Sequence, residues 1–149
     1  MSAERRASRR MDSGYELFPH GADTGVRGIG PSREAAFEQA AMALTSIVTE
    51  PGAIAPDSMI EIACEAPDDA LLLCDWLNAI IYQMAVRKML FGRYEVAIQG
   101  HKLTARAWGE GIDRLRHAPV VEPKGATMTA LDVRQTSHGA WIAECVVDV

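Results

Sequence analysis

Two segments of this chain place their apolar residues at steps of three and four, while the stretches between and after them alternate. Phe37, Ala40, Ala41, Leu44, Ile47 and Val48 form the first series, and Leu73, Trp76, Leu77, Ile80, Ile81 and Met84 the second. The longer step puts side chains on one face of a helix, and alternation puts them on one face of a strand. Pro31-Ser32 opens the first helix, with Ser32 as N-cap and Glu34 in the first turn, and Pro51-Gly52 ends it. Asp68 or Asp69 caps the second, and Gly92 closes that segment. Leu71 and Leu72 widen the second stripe, so this helix needs cover on more than one side.

The remainder reads as strands. Residues 15–18 lead into a turn over 20–25, and 26–29 return, with Gly28 and Gly30 suggesting a bulge or a tight end. Residues 59–64 alternate, and 94–99 and 102–110 flank Gly100-His101 as a hairpin. A Pro-containing link over 112–123 precedes a strand over 126–133. Ser137-His138-Gly139 then turns the chain into 141–149, where Trp141, Ala143, Cys145, Val147 and Val149 share one face. The pattern predicts an α+β fold, one domain over 15–149 with a mostly antiparallel sheet packed against two main helices.

At 149 residues the chain is long enough to bury a core without cross-links. Asp75, Asn78 and Gln83 interrupt the longest apolar runs, so no uninterrupted stretch reaches the roughly 20 residues of a membrane helix. Cys64, Cys74 and Cys145 show no paired spacing and read as buried apolar residues in a reducing compartment. With no apolar leader at the start, a cytoplasmic location is the expectation. Residues 1–14 carry Arg5, Arg6, Arg9 and Arg10 against Glu4 and Asp12, a net of +2, which leaves −7 on the rest. That segment reads as a basic disordered tail. An acidic body argues against stable nucleic-acid binding, which depends on clustered Lys and Arg, and favours a basic protein face as partner.

The chemistry concentrates at the two ends of the predicted domain. Phe18-Pro19-His20-Gly21-Ala22-Asp23-Thr24-Gly25 sets a histidine and an aspartate three apart between glycines, and the sequence closes on Val147-Asp148-Val149. If the last strand runs beside the first, Asp23, Asp148 and the carboxylate of Val149 converge as three hard oxygen donors, suited to calcium or magnesium. Each residue also has a plainer reading. Asp23 suits a turn that bonds its own backbone, Asp148 suits an edge strand, and Lys124 suits a solvated surface. His20 fits a structural or partner-contact role better than a ligand to such a cation. Trp76 reads as core and Trp108 as a partly exposed anchor.

These motifs resemble the archease family, small proteins that assist RtcB-type RNA ligases. The family's His-Thr-Ala-Asp-Ile-Gly-like turn appears as His20-Gly21-Ala22-Asp23-Thr24-Gly25. Its amphipathic helix appears as Glu34-Ala35-Ala36-Phe37-Glu38-Gln39-Ala40-Ala41, and its Leu-x-x-Trp-Leu-Asn helix as Leu73-Cys74-Asp75-Trp76-Leu77-Asn78. The later spacing matches at Gly109-Glu110, His117, Glu122 and Lys124, and the terminus at Val147-Asp148-Val149. The resemblance spans Tyr15 to Val149.

The resemblance implies a non-enzymatic activator. It would promote GTP-dependent guanylylation of the ligase and its repeated turnover in tRNA splicing or RNA repair. It implies a divalent metal, calcium foremost with magnesium or manganese as alternatives, on Asp23, Asp148 and Val149. It assigns Lys124 to activation; His20 and His117 stand beside it as partner-contact candidates on the chemistry of the residues, His117 with its role left open. Two departures stand out: Gly125-Ala126-Thr127-Met128-Thr129 lacks the family's Tyr-His pair, and Pro123 replaces an aliphatic residue. Pro123 removes a backbone donor and so suits an edge or strand start. The competing class is a small metal-dependent phosphoesterase using Asp23 and Asp148, although the chain carries no P-loop and no nucleophile elbow.

Overall fold

The computed structural model describes Ala3 and residues 13–149. The four arginines of the predicted tail lie outside the described residues. The chain runs β1 (Gly14–His20), β2 (Asp23–Gly30), α1 (Arg33–Val48), a 3-10 turn (Pro51–Ala53), β3 (Ser58–Glu65) and α2 (Asp69–Arg87). It continues through β4 (Met89–Gln99), β5 (Lys102–Gly111), α3 (Arg114–His117), β6 (Gly125–Ala126), β7 (Asp132–Gln135) and β8 (Trp141–Asp148). The fold is α+β with antiparallel strands, but the strands form two sheets rather than one. One sheet runs β1-β2-β8-β6, with β7 also on β8, and the other runs β3-β5-β4.

α1 lies between the sheets, contacting β2 and β8 on one side and β4 on the other. This position explains its run of alanines: Ala36, Ala40, Ala41 and Ala43 are fully buried beside Phe37 and Leu44. It also corrects the reading of Gly28. Strand register continues unbroken through Gly28 and Gly30, opposite Ala143 and Trp141. A Cβ on Gly28 would sit 2.1 Å from the Ala36 carbonyl oxygen and 2.3 Å from the Ala40 nitrogen. The glycine is there so that the helix backbone can rest directly on the strand.

Both helices start as their sequences suggest. Ser32 accepts from the Ala35 N–H at 3.1 Å, and Asp68 accepts from the Leu71 N–H at 2.8 Å. α2 ends earlier than expected, at Lys88 in the left-handed conformation (φ 53°). Gly92 instead lies inside β4 at a register shift, where a Cβ would come within 2.8 Å of the Pro51 carbonyl oxygen. By length and composition α2 qualifies as a membrane span, which interrupted apolar runs alone did not reveal. Its apolar stripe is taken up by the protein's own core: Leu72, Leu73, Trp76, Leu77 and Ile80 are fully buried. The Trp76 indole N–H donates to the Phe37 carbonyl at 3.1 Å, tying α2 to α1.

The predicted strand over 126–133 breaks into two short pieces, β6 and β7, with Ala130 at φ 53° between them. β8 carries the predicted faces. Ala143, Cys145 and Val147 enter the main core, while Ile142 joins Ile29, Ala140 and Ala3 on the opposite side.

Candidate functional site

The β1–β2 hairpin is tighter than the motif alone suggested. His20 pairs with Asp23 across a two-residue loop, Gly21-Ala22. Only Gly21 has positive φ (60°), the pattern of a turn that demands glycine at its first central position. Asp23 is therefore the first residue of β2, held in strand geometry. β2 then pairs with β8 from Thr24 opposite Val147, so Asp23 lies level with the end of β8. There the Val149 N–H donates to Asp23 Oδ1 over 3.4 Å, a long contact that leaves most of the carboxylate's capacity unused.

Lys124 reaches the same end by a separate route. Its N–H donates to the Asp148 carbonyl at 2.8 Å, and Gly125 pairs with Asp148. The short strand is gripped from below by α2. The Asn78 side chain accepts from the Ala126 N–H at 2.8 Å and donates to the Ala126 carbonyl at 3.2 Å. Asn78 thus satisfies both polar groups of a backbone position with no second strand beside it. Gly125 fits this grip, since a Cβ there would stand 3.4 Å from Asn78 Oδ1. Pro123, the buried residue just ahead, sits where a missing N–H does no harm to the ladder.

His20, Asp23, Lys124, Asp148 and Val149 are thereby gathered at one tip. His20, Lys124 and Asp148 are exposed, and Asp23 and Val149 half-buried. Among the described residues none of the two aspartates, His20 and Lys124 enters an ion pair. No group of three His, Cys, Asp or Glu side chains among the described residues is placed to hold a metal. The two aspartate carboxylates are oxygen donors, which fit a hard divalent cation and not a soft one.

His117 is elsewhere. It is 3% exposed, at the end of α3. One ring nitrogen, Nε2, lies 2.9 Å from Glu110 Oε2, and Nδ1 accepts from the Asp113 N–H at 2.9 Å. Glu110 also takes both terminal nitrogens of Arg116 and the Ala55 N–H. Arg116 first, then the Ala55 N–H and His117, hold the Glu110 carboxyl well below the usual carboxylate range. The His117 carbonyl in turn accepts from Thr49, and the Val120 N–H donates to the Val48 carbonyl. These bonds strap residues 112–123 across the end of α1, so His117 positions the segment that leads to Lys124 rather than facing a partner.

Sequence reasoning did not anticipate Asn78, Glu110 or Arg116 as determinants of the site. The first two sit inside motifs that mark them out, but nothing local says what they bind. Arg116 carries no signal at all, because its partner is set by the strap's fold.

Comparison with known proteins places these features in one family. The model of the Archease protein family (MTH1598/TM1083) matches residues 15–149. The archease of Pyrococcus abyssi is 32% identical over 139 residues, covering 91% of this chain and 98% of that protein. The archease of Methanopyrus kandleri is 34% identical, covering 91% and 99%. The solution structure of protein 1598 from Methanobacterium thermoautotrophicum superposes with a TM-score of 0.81 at 27% identity, over 91% of this chain and 99% of that one. An archease from Thermotoga maritima, described as a possible chaperone, shares the fold with a TM-score of 0.56 at 18% identity, over 90% and 96%. The hairpin aspartate, the gripping asparagine and the closing Val-Asp-Val thus lie within a matched whole, and the chain is a member of the archease family.

Proposed function

We propose that this protein is a non-enzymatic activator of an RtcB-type RNA ligase, promoting guanylylation of the ligase by GTP and hence multiple turnover in tRNA splicing or RNA repair. The observation that carries the reading is the contact between Asp23 and the Val149 amide, with Lys124 bound to the Asp148 main chain beside it. Residues from three distant parts of the chain meet at an exposed tip that has no use in the core.

Asp23, Asp148 and the Val149 carboxylate would hold a divalent cation, calcium foremost. When bound, the ion supplies charge neutralisation and cross-links the first hairpin to the last strand. The residues themselves do the rest. The hairpin and β8 present the carboxylates on paired strands, and Asn78 holds the backbone that aims Lys124 outward. A lysine ammonium on such a tip is a compact positive charge suited to a phosphate-rich nucleotide in the ligase pocket. The tip would favour the GTP-loaded ligase by binding that state preferentially.

The test is guanylylation of the ligase from the same organism with radiolabelled GTP, at substoichiometric activator. Wild type should stimulate strongly. Asp23→Asn, Asp148→Asn, Lys124→Ala and a chain extended by two residues after Val149 should lose most of that effect while melting normally. No stimulation of a competent ligase would sink the reading. A phosphoesterase would instead show phosphate release by this protein alone, abolished in Asp23→Asn.

A further inference from the structure

Away from the tip, the strap over 112–123 and the end of α2 enclose a groove of 680 Å³. Buried Ile81, Met84 and Leu90 line it from the helix and β4, and Val120, Val121 and Pro123 line it from the strap. Lys88 and Arg114 also line it, and neither side chain forms an ion pair among the described residues. Glu122 is the only acidic residue in that lining. Apolar side chains on the same elements stand open to water: Val120 in the lining is 78% exposed, Leu115 on α3 96% and Val86 on α2 55%. Ala118 adopts the left-handed conformation (φ 45°) where the chain leaves α3, a strained choice for a residue with a Cβ.

A cavity of this size would take a small ligand. Such a ligand would leave Leu115 and Val86 in water, whereas a protein segment would cover them as well. The acidic body as a whole favours a basic face, but inside this groove the two cations outnumber Glu122 and locally select acidic groups beside an apolar anchor. The strap wall of the groove also ends at Lys124, so a partner seated there lies next to the tip.

We propose that this groove is the docking site for the ligase, receiving an apolar side chain from a surface segment whose acidic residues meet Lys88 and Arg114. The inference rests on the activator reading. It separates docking, in the groove, from activation, at the tip.

The experiment titrates stimulation of guanylylation and, in parallel, binding of the fluorescently labelled protein to the ligase by anisotropy. Leu115→Asp and the double variant Lys88→Glu/Arg114→Glu should raise both the half-maximal concentration and Kd on the order of tenfold. Maximal stimulation at saturation should be unchanged. Lys124→Ala should do the reverse, lowering the maximum with little change in Kd. Added salt should weaken wild type more than the double variant. Unchanged affinity in both groove variants, or a lost maximum with unchanged affinity, overturns the docking site. Binding without stimulation overturns the activator reading alone, and absence of binding overturns both. Self-association of wild type that is lost in the groove variants, with ligase affinity intact, assigns the groove to a second copy and overturns the proposal.

Discussion

Single residues at this protein's centre of interest are defined by what they touch, and their partners come both from the nearby strap and from distant segments. Glu110 gathers Arg116, His117 and the Ala55 N–H, and its carboxyl is held below the ordinary value near 4.5. A group depressed in the folded state stabilises fully above its unfolded pKa and loses that contribution as pH falls through the folded value. Wild type should therefore exceed Glu110→Gln in urea midpoint at pH 6, and the gap should narrow at pH 3. A gap that widens on acidification would refute the ion-pair account. The cysteines give a second residue-scale expectation. Burial pushes the Cys64 thiol up to about 11 and, with Cys74 nearby, the Cys145 thiol up to about 12. At pH 8 the Cys64 thiol is overwhelmingly protonated. A disulfide reagent should therefore label the native protein far more slowly than free cysteine, and all three thiols should react once urea unfolds it.

At the scale of elements, β6 is two residues long and owes its place to α2 as much as to β8. Asn78→Ala leaves the half-buried Ala126 N–H without its partner and its carbonyl with only the long Cys74 Sγ contact at 3.7 Å, a loss of about 1–3 kcal/mol. Urea unfolding should register that loss, and the Ala126 amide should exchange faster than in wild type. The stimulation ascribed to Lys124 should drop even though Lys124 is intact. The β2–α1 contact is governed by the opposite requirement, close approach. Gly28→Ala drives a methyl group into helix backbone and should destabilise by about 1–3 kcal/mol or more, read from the thermal midpoint. A neutral effect would mean that α1 can move away from the sheet.

For the whole molecule, the two sheets share α1 as a common buried helix, and α2 closes the side from which the tip is supported. The core is continuous from Val26 on β2 through Trp76 on α2 to Leu103 on β5. Trp76 stacks edge-on to Tyr94, with centroids 5.9 Å apart, and bonds to α1. Trp76→Ala should cost about 3–5 kcal/mol, and fluorescence and circular dichroism should report a single cooperative transition moved to lower urea. Two separated transitions would indicate that the sheets unfold independently.

The periodicity of 33–48 and 69–87, the caps Ser32 and Asp68, and the Gly100 and Gly139 turns were all legible in the chain, while the first turn, expected over 20–25, closes over Gly21-Ala22 alone. They depend on steric and hydrogen-bonding preferences within a few residues. The grouping of Asp23 with Asp148 and Val149 was expected from a last strand lying beside the first, whereas β8 lies beside β2, and that pairing brings Asp23 level with its end. The division into two sheets, the purpose of Gly28 and Gly92, the early stop at Lys88 and the burial of His117 were decided by tertiary structure. Each depends on how segments pack against one another, as where Gly92 meets Pro51 and Thr49 meets the His117 carbonyl. Local sequence sets what a segment can form, and only packing sets what it meets.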